Sequence, residues 1–257
     1  MREDEEGFLY PEVDRDLCVD CHLCERVCPV LNQGEERKPS RVYAAKSKDE
    51  EIRRQSSSGG IFTLLAERVI AEDGVVFGAR FDECWRVVHG YTETKEGLSA
   101  FRGSKYVQSR IGDSYRQAEA FLKSGRKVLF SGTPCQIAGL RLYLRKAYEN
   151  LLTVDFICHG VPSPGVWREY LREEIARQRA GKNSVLSHPN RDQGDIRVEN
   201  ISFRDKRLGW KKYSFALTLS VPDGHGAKNT VLLSEPLDKN VYLRGFLSDL
   251  YLRPSCY

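Results

Sequence analysis

Apolar positions along the chain change period several times, and each change marks an element. Ile61, Leu64, Leu65 and Val69 recur at helical spacing behind the turn-like Ser56-Ser57-Ser58-Gly59-Gly60, which predicts an amphipathic helix ending at Gly74. Val42-Tyr43-Ala44-Ala45 ahead of it reads as a strand. Val75 to Ala79 and Arg86 to Tyr91 read as paired strands joined through Phe81 to Trp85, and Arg102 to Val107 reads as a polar loop entering a further strand. Tyr115, Ala118, Phe121 and Leu122 signal a helix between Asp113 and Gly125.

From Val128 onward the pattern is strand, turn, helix, repeated. Val128-Leu129-Phe130 is followed by the turn Ser131-Gly132-Thr133-Pro134 and a helix face of Ile137, Leu140, Leu144 and Ala147. The second copy runs from Leu151 to Cys158 as strand, His159 to Pro164 as turn, and Trp167, Tyr170, Leu171 and Ile175 as helix. Two such units with near-continuous apolar strands imply a parallel sheet covered on both faces. Arg177 to Gln193 is polar and reads as a loop. Alternating strands Asn200 to Arg204 and Tyr213 to Leu219 follow, then mixed helical periodicity from Leu237 to Leu252.

At 257 residues the chain has room for one sizeable α/β domain and a small appendage. Its net charge of +4 comes from 40 basic against 36 acidic residues dispersed along the sequence, whereas a nucleic-acid footprint needs clustered cations. No apolar stretch approaches a membrane span, and the acidic start Arg2-Glu3-Asp4-Glu5-Glu6 is the opposite of a signal peptide, so a cytoplasmic protein is expected. A reducing compartment also suits eight cysteines.

Four of those cysteines, Cys18, Cys21, Cys24 and Cys28, form a CxxCxxCxxxC run with Pro29 directly after it. Two-residue gaps wrap a short loop so that successive thiolates face one centre, the arrangement of a bacterial ferredoxin [4Fe–4S] site. A zinc knuckle usually joins two separated ligand pairs, and a disulfide pair leaves three thiols in seven residues unexplained. In two-cluster ferredoxins the fourth cysteine of such a run serves the other cluster, and the chain has no second run. The leader Asp4 to Pro11 reads like the connection between two ferredoxin halves, and the stop beside Cys256 looks like a cut, so a piece of a longer protein is expected. The polar stretch Gly34 to Arg41 marks the boundary between a 1–34 ferredoxin-type segment, its second half only, and a 41–257 α/β domain truncated at its C-terminus.

The two βα turns carry a second set of candidates. Thr133 and Ser163 can cap helices that open with Pro134 and Pro164, leaving first-turn amides at the carboxyl edge of the sheet, where helix N-termini hold phosphate groups. Well-capped helices with no ligand are an equally direct reading. Cys135 in a first helical turn is a candidate thiolate, and Cys158-His159-Gly160 should reach the same edge; a small buried hydrophobe is the plainer reading of Cys158. Cys84 carries no motif and reads as structural. Neither GxGxxG nor GxxxxGK[ST] is present, so any nucleotide is held in another way.

Ser57-Ser58-Gly59-Gly60-Ile61-Phe62, Gly103 to Ser109, Phe130 to Gln136, Cys158 to Pro164 and Phe203-Arg204-Asp205-Lys206 occur in this order behind the cysteine run. Together they resemble the beta subunits of the coenzyme F-420 (deazaflavin) hydrogenase/dehydrogenase family over nearly the whole chain. The resemblance implies an iron–sulfur flavoprotein oxidoreductase of anaerobes, in which a ferredoxin module exchanges single electrons with FAD. Its fold would be a ferredoxin-like 4Fe–4S segment followed by an α/β domain with a mixed, partly parallel sheet. By position it makes Ser58, Gly59, Gly60, Ser104, Lys105, Gly132, Thr133 and Gln136 flavin contacts, Cys135 and His159 catalytic candidates, and Cys18, Cys21, Cys24 and Cys28 cluster ligands. The implied partners are a ferredoxin or hydrogenase/dehydrogenase subunits, with a deazaflavin or other small acceptor. Two readings compete: an electron-transfer subunit with no substrate site of its own, and a zinc-holding module that binds a nucleotide sugar.

Overall fold

The computed structural model describes all residues except 33, 35–37, 184–195, 211, 223–227 and 257. Its centre is a four-stranded sheet. β3 (Val75–Phe81), β5 (Val128–Ser131) and β6 (Leu151–Val154) run parallel in that spatial order, and β4 (Val87–Thr92) pairs antiparallel on the outer side of β3. Val76 lies beside Leu129, and Phe77 beside Phe130. All four side chains are fully buried, because helices cover both faces as near-continuous apolar strands require.

α3 (Ile61–Ala71) packs Ala66 and Val69 against Val76 and Leu129 on one face, together with Leu98 and Phe101 of the 3-10 turn Glu96–Phe101. α4 (Ser114–Lys123) and α5 (Pro134–Leu144) cover the other face, setting Ala118, Leu122, Ile137, Leu140 and Leu144 against Val75, Phe77, Val128 and Phe130. The short α2 (Glu50–Gln55) precedes α3 and is capped by the Asp49 carboxylate. The expected fold class is therefore observed: a mixed α/β sheet, parallel in part.

A second core lies beyond β6. α6 (Pro164–Asn183) and α7 (Val241–Leu247) pack Trp167, Tyr170, Leu171, Tyr242 and Leu243 against an antiparallel sheet of β7 (Arg197–Asp205), β8 (Ser214–Pro222) and β9 (Lys228–Pro236). β7 contains the expected strand Asn200 to Arg204, and β8 contains the expected Tyr213 to Leu219 apart from Tyr213 itself. β9 was not anticipated.

Several local expectations are corrected. Val42 to Ala45 is not a strand; Val42 and Tyr43 are exposed and no neighbour pairs with them. The segment after Val107 makes one isolated bridge, Val88 to Arg110, in place of a strand. β6 stops at Val154, short of Cys158. α5 stops at Leu144 because Arg145 turns left-handed (φ 56°), so Ala147 is not on its face. α6 continues to Asn183, past the expected start of a loop at Arg177; the rest of that stretch, from 184, lies outside the described residues.

The leader is also more than a connection. β1 (Arg2–Glu3) and β2 (Leu9–Tyr10) pair as a hairpin, Phe8 is fully buried, and Arg168 binds Glu3 at 2.7 Å. Arg253 donates to the Leu9 carbonyl and stacks on Tyr10. No helix among the described residues is long and apolar enough to cross a membrane.

Candidate functional site

α3 leads into β3, whereas α5 and α6 follow β5 and β6. The N-termini of all three helices therefore face the carboxyl edge of the parallel strands, where unpaired amides favour anions. The chain itself fills part of this edge. Ser163 caps α6 through the Val166 amide (3.1 Å), and the Gly165 amide donates to Glu6 O of the leader at 2.7 Å. The second βα turn is thus closed.

At the first turn Thr133 and Gln136 form a capping box: the Thr133 amide donates to Gln136 Oε1 at 3.0 Å, and the Gln136 amide to Thr133 Oγ1. A Cβ on Gly132 would come within 3.0 Å of Gln136 Oε1 and 3.5 Å of His89 Nε2, so packing inside the turn already accounts for that glycine. Cys135 is exposed, with Sγ 3.0 Å from Thr133 Oγ1. His89, absent from the sequence-based candidates, lies directly beneath. Its Nε2 sits 3.0 Å from Ser131 O, a pure acceptor, so that nitrogen carries the proton and Nδ1 accepts from Ser109 Oγ at 2.7 Å. Burial pushes its pKa down to about 4, which keeps the ring neutral.

The remaining candidates gather at the start of α3. Gly60 is left-handed (φ 80°), and a Cβ on Gly59 would lie 2.7 Å from Ala45 O; the Ser47 amide donates to Gly59 O at 2.7 Å. Both glycines are needed to let residues 45–47 cross the loop. Ser58 occupies the same turn, and Ser104 donates to Ser57 Oγ at 2.7 Å. Lys105 Nζ donates to the carbonyls of Arg102 and Gly103 at 3.1 and 3.2 Å and lies near the Phe81 ring at the end of β3. Burial lowers its pKa to about 8. Lys206, in the Phe203 to Lys206 motif but not among the candidates, reaches the loop from the other side. Its Nζ donates to Ser56 O and to Arg53 O, and burial together with the charges of Arg204 and Arg53 lowers its pKa to about 8.

The segment from Arg102 to Arg110 joins the two groups: Ser104 binds the α3 loop, and Ser109 binds His89 and receives the Gln136 amide group at 3.3 Å. Five peptide steps separate them, at most about 17 Å. Beyond β6, His159 Nε2 pairs with Asp249 Oδ1 at 2.8 Å and stands edge-on to Phe246. Burial holds the Cys158 thiol in its neutral form, with Cys135 and Cys256 close enough to add to the effect. Phe156 and Ile157, just before it, are exposed.

The four cysteines of the run are free thiols on a loop around α1 (Leu23–Arg26), three of them exposed. Asp20 and His22 on either side of Cys21 are left-handed (φ 52° and 55°), which coils the loop. As a donor set they fit an iron–sulfur centre. Among the described residues no three such side chains are gathered at one point, and Leu17, Val19 and Leu31 between and beside them are exposed. Leu23, Arg26 and Val27 face Arg141 and Leu142 of α5 and its capping residue Arg145 across a cleft of about 310 Å³. Cys135 is about 9–11 Å further along that helix from Arg141 and Leu142.

Residues 11–31 match a 4Fe–4S binding domain, 42–114 the N-terminal part of coenzyme F420 hydrogenase/dehydrogenase beta subunits, and 125–211 their C-terminal part. No curated protein matched the chain. Among solved structures, the xenon-derivatised F420-reducing [NiFe] hydrogenase complex from Methanosarcina barkeri contains a chain that is 22% identical, with a TM-score of 0.46 over 82% of this chain and 62% of that one. This chain thus spans less than two thirds of that protein's length. With a 4Fe–4S segment leading and both halves of one family following in order, the chain belongs to the coenzyme F420 hydrogenase/dehydrogenase beta-subunit family.

Proposed function

We propose that the chain is the core of an iron–sulfur flavoprotein oxidoreductase, with residues 1–34 as its cluster segment and 41–257 as its FAD domain. Cys18, Cys21, Cys24 and Cys28 would hold a [4Fe–4S] centre. Ser58, Ser104, Lys105 and the turn from Gly132 to Gln136 would line the flavin, with Phe156 and Ile157 as exposed apolar surface beside it. When bound, the cluster supplies single electrons and the flavin pairs two of them for a deazaflavin or another small acceptor.

The observation that carries this reading is Lys105. Its ammonium is drawn in at the carboxyl edge and satisfied by two neutral carbonyls, an arrangement that leaves its charge for an anion such as a flavin phosphate. Cys135 and His159 would hold or move the proton of the reaction, with Asp249 orienting His159 from behind. A ferredoxin or hydrogenase/dehydrogenase subunits would be the redox partners, in the cytoplasm.

The experiment is anaerobic reconstitution with iron, sulfide and FAD, followed by absorption spectroscopy and cofactor analysis. About four irons and one flavin per chain are expected. A colourless protein that holds zinc and no flavin would overturn the proposal.

A further inference from the structure

The cleft between α1 and the end of α5 is lined by Arg26, Arg141 and Arg145 with Leu23, Val27 and Leu142, and by no carboxylate. The segment on its rim has the opposite balance. Residues 11–31 hold the carboxylates Glu12, Asp14, Asp16, Asp20 and Glu25 against the cations Arg15 and Arg26. His22 lies 3.7 Å from Asp20 and 3.1 Å from Glu25, and Arg26 is tied into the segment by a 3.0 Å bond to Cys21 O. Across the cleft, Arg141 spends one donor on Thr153 Oγ1 at 2.8 Å. Arg145, left-handed and exposed behind Leu144, makes no side-chain hydrogen bond or ion pair among the described residues.

Loading the segment deepens its negative charge. Four thiolates around a doubly charged iron–sulfur core leave the centre a dianion, and one electron makes it a trianion. α5 adds to the cost, because its C-terminal end faces the segment and the free carbonyls there carry partial negative charge. We propose that Arg141 and Arg145 are positioning residues for the loaded cysteine segment: they offset its excess negative charge, hold it on the last turn of α5 and raise the reduction potential of its centre. This rests on the cluster reading above. Fixed cations stabilise the reduced form more than the oxidised one, since reduction adds negative charge beside them. An acidic carrier protein is a poorer occupant of the same cleft, because the carboxylates on its rim would repel it. Cys135 lies in the first turn of the same helix, so the two arginines fix the segment on the element that leads to the proposed flavin edge.

The test is a potentiometric titration of the anaerobically reconstituted full chain, followed by the EPR signal of the reduced centre, with iron content measured for every sample. Arg145→Glu and the double variant Arg141→Gln/Arg145→Gln should load iron like the parent. At a fixed potential near the midpoint their ratio of reduced to oxidised centre should fall about tenfold, a midpoint about 59 mV more negative. Arg141→Lys/Arg145→Lys should keep the parental midpoint, and Arg116→Gln, on the exposed side of α4, should not move it. Salt at about 0.5 M in place of about 0.05 M should shrink the difference, because the side chains are exposed. Equal midpoints at low salt in iron-loaded parent, Arg145→Glu and the double glutamine variant overturn the proposal and leave the cluster reading standing. A lysine pair that behaves like the glutamine pair also overturns it. A parent that takes up no iron overturns the cluster reading and the proposal together.

Discussion

His89 Nε2 donates its proton to the carbonyl of Ser131, the last residue of β5, and thereby ties the antiparallel edge strand to the turn that opens α5. That bond exists only with a buried ring, and burial sets its pKa near 4 against an ordinary 6.5.

Acid should therefore destabilise the fold through His89 as pH falls below about 6.5. Between about pH 6.5 and 4 the unfolded chain binds a proton at His89 that the folded chain refuses, so this contribution is fully present above pH 6.5 and fades as pH falls. The loss is on the order of 3 kcal/mol. Urea unfolding at pH 7.5 and pH 5 should show it, and His89→Gln should be less stable at pH 7.5 but flatter in pH. An unchanged slope in that variant would refute the assignment.

Lys105 titrates near pH 8, so flavin affinity should fall above that value as the ammonium is lost. The sign follows from the charge: a phosphate beside Lys105 favours its protonated form, and binding near pH 8 takes up protons. Lys105→Glu should reduce affinity by orders of magnitude, whereas Lys105→Met should bind weakly and independently of pH in this range. Titrations in two buffers of different ionisation enthalpy measure the uptake directly.

Serine at any one of Cys18, Cys21 or Cys24 should abolish the broad brown absorbance of the reconstituted protein and leave flavin binding in place. The loop around these cysteines buries little of its own apolar surface, so it should be cut at Arg15 or Arg26 by trypsin without iron and protected with it. Equal digestion of both forms would count against cluster ligation by this segment.

Gly165 packs directly on Glu6; a Cβ there would lie 2.6 Å from Glu6 O. Gly165→Ala should push the leader off α6 and cost about 1–3 kcal/mol. Phe8→Ala should cost about 3–5 kcal/mol through the cavity it leaves. Thermal unfolding checks both. Gly132→Val, by contrast, would disturb Gln136 and His89 first, and so reports on stability before it reports on any ligand.

The sheet was legible because Val75-Val76-Phe77 and Val128-Leu129-Phe130 are apolar on both faces, and because Thr133-Pro134 and Ser163-Pro164 announce helix starts. β9 was missed since Lys228-Asn229-Thr230 opens it with polar residues on an outer strand. Within the site, the spacing of motifs located both loops but not their contacts. His89, Lys206 and Asp249 lie 42, 150 and 90 residues from Ser131, Ser56 and His159, and no local pattern encodes such pairings. Gly59, Gly60 and Gly132 illustrate the converse: each matched the family by position, and each is required by its own neighbours.

The leader has a consequence for repair of the cysteine segment. That segment is moored at both ends, by Phe8 and Arg253 before it and by the Ser47 amide on Gly59 O after it. A loop closed in this way would stay in place if a cluster bound on it were lost. The thiols stay at high local concentration next to α5, and rebuilding a lost centre becomes an intramolecular capture rather than a search.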